Sequence, residues 1–249
     1  MAELSDTHVL ICGAGIAGLT AAWWLHRYGA RVDLVDQTSR FGPAGSMTTM
    51  YGEALQVADA MGLTDVFTAA SYRQDTQILH NARGRRLRTY DLRAAHDRQH
   101  GTLTLRRADW HRVLHGALPA AVAVRAGTTV TRLDQQPDGV DVTCSDGRSG
   151  RYDLVLGADG ISSAIRTQVF GNGHRQPLGY GLMTFILDNA EPLREKAGLA
   201  SYAVHEWFLP GRYVELTTLG PATIAAIFVY PSLPGHHVPA PAERPTVLA

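Results

Sequence analysis

The sequence predicts an α/β protein in which a βαβ unit is joined to a three-stranded meander and to a separate antiparallel β-sheet. The first 36 residues alternate an apolar run, a glycine-rich turn, an Ala- and Leu-rich run and a second apolar run. Residues 128–156 alternate polar and apolar side chains, and Thr-, Val-, Tyr- and Phe-rich runs follow Tyr180. Changes of period of this kind indicate a mixed fold with two kinds of sheet.

The βαβ unit is the clearest element. His8–Cys12 is a short apolar run, typical of a buried parallel strand. Residues 16–28 contain no proline and are followed by Gly29, which predicts a helix that ends there. Arg31–Asp36 has the composition of a second strand. The connection between two such parallel strands is expected to cross over right-handed.

The middle of the chain contains shorter elements. Residues 52–61 predict a helix closed by Gly62, and residues 76–90 predict a hairpin that turns at Ala82-Arg83-Gly84. Asp109 stands directly before an amphipathic run, so we expect it to cap a helix over residues 110–118 that stops at Pro119.

Residues 128–156 predict the meander, a group of three short strands. Asp138-Gly139 and Asp146-Gly147 stand at its two reversals, and Asp-Gly suits the left-handed dihedral angles of tight hairpins. The later sheet is predicted from four further runs, over residues 181–187, 202–209, 213–219 and 223–230.

Domain boundaries are expected from these changes of pattern. Residues 1–75 and 101–175 would form one discontinuous domain that contains the βαβ unit. Residues 76–100 and 176–231 would form a second domain, and residues 232–249 a proline-rich tail.

Composition excludes several classes of protein. The formal net charge is zero, so no general attraction to nucleic acid or to an anionic membrane is expected. No stretch approaches the roughly 20 apolar residues of a membrane span. Two cysteines, Cys12 and Cys144, are too few for a disulfide scaffold, and the apolar surroundings of Cys12 favour a buried thiol. We expect a cytoplasmic protein without a metal site.

A glycine motif follows the first strand and opens the first helix. Gly13 permits the tight turn, Gly15 allows a pyrophosphate to approach the backbone, and Gly18 allows close packing of helix and strand. Asp36 ends the second strand, where a carboxylate can accept hydrogen bonds from a ribose. The motif predicts a dinucleotide site of the Rossmann type, for either NAD or FAD, at Gly13, Ala14, Gly15, Ile16, Ala17, Gly18 and Asp36.

Three segments carry a resemblance to a known family. The segment from Gly157 through Asp159-Gly160 to Arg166 resembles the DG motif of FAD-dependent aromatic hydroxylases, placed after the third strand of the meander. The segment around Arg107 is similar to the one that brings an arginine to the flavin in that family. Residues 45–63 resemble the subgroup of tetracycline-inactivating and polyketide-tailoring hydroxylases.

This resemblance implies an FAD-binding domain followed by a substrate domain. FAD would be the cofactor, with Arg107, Asp159 and Gly160 added to its binding residues. NAD(P)H would reduce the flavin, O2 would form a flavin C4a-hydroperoxide, and an aromatic or polyketide-like small molecule would be hydroxylated by it. No side chain need act as nucleophile, so no catalytic residue is assigned.

The chain also departs from the family. Asp36 stands where the family usually has glutamate, and no Gly-Asp dipeptide is present, although a later Gly-Asp motif contacts the riboflavin half of FAD in the family. We therefore expect the cofactor domain to be incomplete, with its missing part supplied by a second chain. Two alternatives remain open, namely a non-catalytic or partner-completed FAD-binding fragment and a NAD-dependent dehydrogenase.

Other candidate sites are weaker. His111 and His115 lie one helical turn apart, but Arg112 replaces the glutamate of a zinc protease, so a stacked or solvated pair is favoured. His236-His237 lies in the tail. Ser162 and Ser163 have no G-x-S-x-G context and are better explained as the start of a helix.

Two groups of residues are of interest in the second domain. The predicted hairpin carries Arg83, Arg85, Arg86 and Arg88, which form either a solvated face or a patch that helps the phosphates of NAD(P)H to approach. The candidates for substrate-lining residues are Phe185, Trp207, Phe208, Tyr213 and Phe228. About half of them are expected to be ordinary core, since neighbouring strand positions face opposite ways.

Overall fold

A computed structural model describes residues 4–39, 47–93 and 101–232 of the chain. The chain divides into two compact units, Met1–Ala44 with Arg107–Gln176 and Gly45–Arg106 with Pro177–Ala249. Residues 47–75 and 101–106, which the sequence assigned to the cofactor domain, thus group with the second unit, whereas Gln176, assigned to the substrate domain, groups with the first. His236, His237, Gly45 and all but the first residue of the proline-rich tail lie outside the described residues.

The first unit is built on a parallel sheet. Its strands are β1 (His8–Cys12), β2 (Arg31–Asp36), β7 (Val124–Ala126) and β11 (Leu154–Gly157), in the order β11-β1-β2-β7. Helix α1 (Ile16–Arg27) connects β1 to β2, and the left-handed Gly29 (φ +94°) turns the chain into β2. The predicted βαβ unit is therefore confirmed, with the helix ending one residue earlier than expected.

The meander packs against this sheet. Strands β8 (Val130–Gln136), β9 (Gly139–Cys144) and β10 (Ser149–Tyr152) pair antiparallel, and both predicted Asp-Gly turns lie between them. The core between the two layers consists of Leu10, Cys12, Val35, Val130, Val142, Cys144, Tyr152 and Ile165. Both cysteines are free and buried, and burial raises the pKa of the Cys12 thiol to about 12.

The position of the DG segment needs a correction. The sequence placed it after the third meander strand, but it follows β11, which pairs in parallel with β1 from Val9↔Leu154 to Cys12↔Gly157. Only Asp153 separates β10 from β11, and its carboxylate accepts the His8 amide at 2.7 Å. So short a connection is difficult to distinguish from a continuous strand in the sequence.

The helix after Arg106 also differs from expectation. Strand β6 (Leu103–Arg106) runs directly into helix α4 (Arg107–Gly116), so Asp109 lies within the first helical turn and is not the N-cap. Its carboxylate accepts Arg112 at 3.0 Å instead. In contrast, helix α5 (Ala164–Phe170) has a side-chain cap, because Ser163 Oγ accepts the Arg166 amide at 2.9 Å. Ser163 thus starts a helix, as predicted.

The second unit is built on a six-stranded sheet of order β12-β15-β14-β13-β4-β5. The predicted hairpin is β4 (Thr76–His80) and β5 (Arg86–Asp91). The later runs are β12 (Tyr180–Leu187), β13 (Ala203–Leu209), β14 (Arg212–Thr218) and β15 (Ile224–Pro231). The sheet is not wholly antiparallel, since β13 pairs in parallel with β4. A separate two-stranded sheet pairs β3 (Met47–Met50) with β6.

Among residues 47–93 and 101–232, three short helices with described bounds belong to this unit. They are α2 (Glu53–Ala60), α3 (Thr64–Ala70) and α6 (Glu191–Lys196). Ala190 and Leu199, which flank α6, form a small core with Ile224 of the large sheet. In the part of the chain that the structure describes, none of the helices is long and apolar enough to cross a membrane.

Candidate functional site

A cleft of about 220 Å³ lies at the carboxyl ends of β1, β2 and β11 in the first unit. This is the edge of a parallel sheet where α/β proteins generally bind ligands. The cleft brings together residues that are widely separated in the chain. Its walls include six of the predicted site residues, Gly13, Gly15, Asp36, Arg107, Asp159 and Gly160.

The three glycines of the turn are needed for different physical reasons. A Cβ on Gly13 would lie 2.4 Å from the carbonyl oxygen of Ala158, and Gly13 also has φ +111°. A Cβ on Gly18 would lie 1.8 Å from the carbonyl oxygen of Gly13. A Cβ on Gly15 would meet no described atom within 4 Å. Gly13 and Gly18 are therefore required for packing, whereas Gly15 faces open space in the cleft.

The N-terminus of α1 opens onto this space. Gly15 occupies the N-cap position with extended dihedral angles and accepts the Leu19 amide at 3.0 Å. A glycine offers no side-chain cap to the first-turn amides of Ile16 and Ala17, which also have no acceptor within a helix. Together with the helix dipole, these amides form a site suited to phosphate.

Asp36 links the glycine turn to the end of β2. One carboxylate oxygen accepts the Ala14 amide and the other accepts the Thr38 amide, each at 2.7 Å. The Ala14 amide is therefore already engaged, which leaves Gly15 and the residues after it to face a phosphate. Because a carboxylate oxygen can accept more than one hydrogen bond, Asp36 can still accept from a ribose hydroxyl.

Asp159 combines a structural contact with an unused acceptor. Its Oδ2 accepts the amides of Ala164 and Ile165 at 2.7 and 3.1 Å and so holds the start of α5. Its Oδ1 is buried and has no hydrogen-bond partner among the described residues. Buried acceptors are rarely left unpaired, so this oxygen suits a hydroxyl donor of a ligand. The loop itself is held by Arg166, which donates to the carbonyl oxygen of Ile161 at 2.7 Å.

Helix α4 contributes Arg107 and His111 to the site. Arg107 is the first residue of the helix and its side chain is exposed in the cleft wall. The imidazole of His111 bonds the backbone of Ala14, and burial together with the charge of His115 lowers the pKa of His111. The rings of His111 and His115 stack with centroids 5.6 Å apart, which confirms the stacked pair. The sequence did not indicate the contact between His111 and the glycine turn.

Several other residues of the cleft wall were also missed. They are small residues that carry a hydroxyl group. Only Thr38 could have been predicted from the sequence, because it lies two positions after Asp36. These residues are Thr38, Thr128, Thr129 and Ser162.

The aromatic residues proposed to line a substrate pocket are divided between the two faces of the large sheet. Strand pairing places Phe185, Trp207 and Phe228 on one face. Trp207 packs there on the core beside α6. Phe208 and Tyr213 lie opposite one another on the other face, with ring centroids 5.0 Å apart.

That second face also carries a polar cluster. The Tyr213 hydroxyl lies 2.7 Å from a carboxylate oxygen of Glu206 and 2.8 Å from one of Glu215, and Thr217 donates to Glu215 at 2.8 Å. Burial, followed by the bonds to the two carboxylates, raises the pKa of Tyr213.

The fold and this cleft define a dinucleotide-binding protein. The family described as "FAD binding domain" matches residues 6–205, and the chain belongs to that family. A flavin-dependent monooxygenase of Legionella longbeachae is 30% identical over 183 residues, which cover 73% of this chain and 47% of that protein. A 3-amino-4-hydroxybenzoate 2-monooxygenase of Streptomyces cremeus is 28% identical, over 84% of this chain and 48% of that protein.

Solved structures show the same fold. HpxO of Klebsiella pneumoniae, complexed with FAD and uric acid, has a TM-score of 0.78 at 20% identity, over 99% of this chain and 62% of that one. The tetracycline destructase Tet(51) has a TM-score of 0.72 at 22% identity, over 97% and 61%. The chain spans about half the length of the curated relatives it matches.

The family identifies the cofactor as FAD, which the glycine motif alone could not distinguish from NAD. The residues of the cleft fit this cofactor. The space in front of Gly15 and the amides at the start of α1 suit the pyrophosphate. The buried Oδ1 of Asp159 supplies an acceptor for a hydroxyl group.

Proposed function

We propose that the protein is an FAD-dependent monooxygenase that hydroxylates an aromatic or polyketide-like small molecule, with NAD(P)H as reductant and O2 as co-substrate. The observation that carries this proposal is the second helix N-terminus at the cleft, where Asp159 holds α5 through Oδ2 and its buried Oδ1 has no partner among the described residues. A nucleotide site formed only by the glycine turn and Asp36 would leave the DG segment, residues 157–166, without a role. The names of the relatives support the same class of reaction.

Each cleft residue has a distinct part in this proposal. The backbone from Gly15 to Ala17 holds the pyrophosphate, and Asp36 accepts from the adenosine ribose. Arg107 donates to a phosphate or to a carbonyl of the flavin, and a charge-assisted bond of this type contributes roughly 1.5–3 kcal/mol. Asp159 and Gly160 lie near the pyrophosphate at the mouth of the cleft. Bound FAD supplies the electron transfer to O2 on which hydroxylation depends.

The second unit is proposed to bind the substrate. We assign this role to the face of the large sheet that carries Phe208 and Tyr213, because Trp207 on the opposite face is part of the core beside α6. The aromatic rings offer stacking surface, and the half-buried Glu215 offers a carboxylate acceptor. This combination suits an aromatic ring that bears hydroxyl or amino donors.

The test is a turnover experiment under ¹⁸O2. The chain is supplied with FAD, with NADPH or NADH, and with a panel of phenols, aminophenols and polyphenolic polyketides. We expect at least one compound to accelerate NAD(P)H oxidation. Because the Gly-Asp motif is absent, we expect most of the oxidising equivalents to leave as peroxide and only a minor part to appear as product that carries one ¹⁸O atom. Peroxide is measured in parallel, because a site that admits water loses the oxidising equivalents as peroxide.

Gly15→Val is the matched control, since it fills the space in front of α1 and should abolish the flavin-dependent signal. The proposal is wrong if the flavin-loaded chain oxidises NAD(P)H at a rate that no compound changes and no product carries ¹⁸O.

A further inference from the structure

The hairpin formed by β4 and β5 carries an unusual concentration of positive charge. Four arginines stand between residues 83 and 88, in a chain whose formal net charge is zero. The only acidic residue from Thr76 to Asp91 is Asp91 itself, and Arg93 already binds its carboxylate at 3.0 and 3.1 Å. The charge of the hairpin is therefore not balanced within its own sequence.

Several other arginines in the structure form ion pairs with carboxylates. Arg73, Arg112, Arg132 and Arg151 each lie within 4 Å of a carboxylate close to them in sequence or across a strand pair. For the hairpin arginines, no carboxylate partner is found among residues 4–39, 47–93 and 101–232. The four hairpin arginines are all exposed, namely Arg83, Arg85, Arg86 and Arg88.

The tip of the hairpin is ordered before any partner binds. Asn81 Oδ1 accepts the amides of Arg83 and Arg85 at 3.0 and 2.9 Å, and Gly84 has φ +76°. His80 Nδ1 lies 3.2 Å from the carbonyl oxygen of Gly84 and anchors the turn to β4. These contacts use backbone atoms of the arginines, so the guanidinium groups remain available and little backbone entropy is lost on binding.

The strand adds an aromatic surface. The Arg88 guanidinium lies 4.9 Å from the centroid of the Tyr90 ring, and Tyr90 is itself exposed. An aromatic ring beside guanidinium groups is a common platform for a nucleotide, since the base can stack while the cations bind phosphate.

Protection of a sheet edge is the simpler explanation for charges on β5, which is the last strand of its sheet. That explanation covers Arg86 and Arg88. It does not cover Arg83 and Arg85, which lie in the turn and leave no strand edge to protect. Nor does it require one sign of charge only, because alternating signs would protect an edge without repulsion between neighbours.

We propose that this basic hairpin binds the phosphates of the reductant and selects a dinucleotide that carries a 2′-phosphate, NADPH, over NADH. The inference rests on the proposed function, which supplies the need for a nicotinamide nucleotide. A 2′-phosphate adds about −1.5 to −2 charge at neutral pH, and charge complementarity to the four arginines is what distinguishes the two nucleotides.

The test uses 2′,5′-ADP and 5′-AMP as probes, titrated calorimetrically into the full chain at low and high salt. We expect 2′,5′-ADP to bind more tightly than 5′-AMP, and its affinity to fall as salt rises. The variant Arg85→Gln with Arg86→Gln should lose about tenfold in affinity for 2′,5′-ADP, a change of roughly 1.4 kcal/mol. These substitutions leave the backbone bonds to Asn81 in place.

Lys196→Gln with Arg212→Gln is the control, because both residues are exposed cations of the same unit and the two substitutions remove the same two charges. The inference is overturned if the hairpin variant binds 2′,5′-ADP as the unmodified chain does, or if the control variant weakens binding equally. Tight binding of a short RNA or of anionic vesicles without a preference for 2′,5′-ADP also overturns it. FAD binding, measured separately by flavin absorbance, shows whether the proposed function fails at the same time.

Discussion

At the residue scale, the glycine turn separates two requirements that the motif combines. Gly13 and Gly18 are fixed by contacts within the protein, because a side chain at either position would overlap a backbone carbonyl. Gly15 is free of such contacts, and its importance depends on a ligand. The three positions should therefore respond differently to substitution even though they belong to one motif.

We predict that Gly15→Val weakens FAD binding at least about tenfold while it costs about 1 kcal/mol or less of folding free energy, as expected for a poorer N-cap residue. Gly18→Ala should instead cost about 1–3 kcal/mol, because its Cβ must displace the Gly13 carbonyl. Denaturant unfolding without flavin and flavin titration measure the two effects separately. If Gly15→Val retains flavin as tightly as the unmodified chain, the assignment of Gly15 to the pyrophosphate is wrong.

Tyr213 is the second residue whose role depends on its neighbours. Its single hydroxyl lies between Glu206, which is only 7% exposed, and Glu215. A carboxylate buried to this degree is costly unless hydrogen-bonded, so the phenol stabilises the sheet face on which we place the substrate.

We predict that Tyr213→Phe lowers the free energy of unfolding by roughly 1–3 kcal/mol, since it removes the one phenol proton that Glu206 and Glu215 share. Tyr180→Phe, at an exposed position of the same sheet, should change it by less than about 0.5 kcal/mol. Equal effects of the two substitutions in urea unfolding would show that the Tyr213 hydroxyl contributes nothing specific.

At the element scale, β4 and β13 are joined by a defined chain of hydrogen bonds. The Ala200 amide donates to His205 Nε2 at 3.1 Å, which places the proton of a neutral His205 on Nδ1. Nδ1 lies 3.0 Å from His80 Nε2, and the His80 Nδ1 proton then faces the carbonyl oxygen of Gly84. All four imidazole nitrogens of His80 and His205 take part in this series of hydrogen bonds only while both histidines are neutral.

Acid is therefore predicted to weaken the second unit. Burial first, and then the charge of His80, lowers the pKa of His205 from 6.5 to about 4. The pKa of His205 is lower in the folded protein than in the unfolded chain. The stabilisation that neutral His205 gives the folded state is therefore complete above pH 6.5 and is lost as the pH falls from 6.5 to about 4. A shift of this size corresponds to roughly 3 kcal/mol.

The measurement is the free energy of unfolding across this pH range in the unmodified chain and in His205→Phe. The difference between the two should narrow as the pH falls. His174→Gln, which removes an exposed imidazole, should leave the pH profile unchanged. A profile that is identical with and without His205 would contradict the prediction.

At the scale of the whole molecule, the main sheet of each unit pairs strands that lie far apart in the sequence. The central strand β1 is flanked by β2 and by β11, and β11 begins more than a hundred residues later. The cleft is formed where these distant segments end side by side, so the FAD site that we propose there requires the long-range pairing of β1 with β11. This proposal links cofactor binding to the folding of the first unit.

We predict that FAD stabilises the chain against thermal unfolding by mass action, by about 2.7 kcal/mol at a hundredfold excess over its dissociation constant. FMN at the same concentration should stabilise it less, because FMN lacks the adenosine ribose that Asp36 would bind. Gly15→Val should remove most of the FAD effect. Equal stabilisation by FMN and FAD would argue against the role of Asp36.

Much of the local structure could be predicted from the sequence, because it depends on interactions between near neighbours. The glycine motif, the Asp-Gly turns and the period of each strand identified the βαβ unit, the meander and the hairpin. The resemblance of the segments around Arg107 and Asp159 predicted the cofactor family, and the structure brings both residues to the walls of one cleft.

Tertiary structure alone decided the partners of these elements. The run 154–157 has the composition of a meander strand, but it pairs in parallel with β1, where Val155 packs against the core between the sheet and the meander. Asp109 has the identity of a cap, but β6 leads directly into α4 and places it inside the helix. Likewise, β13 pairs in parallel with β4 although its own residues specify only a strand. Strand pairing and the burial of Asp159 Oδ1 depend on segments far apart in the chain, and no local pattern of residues records that proximity.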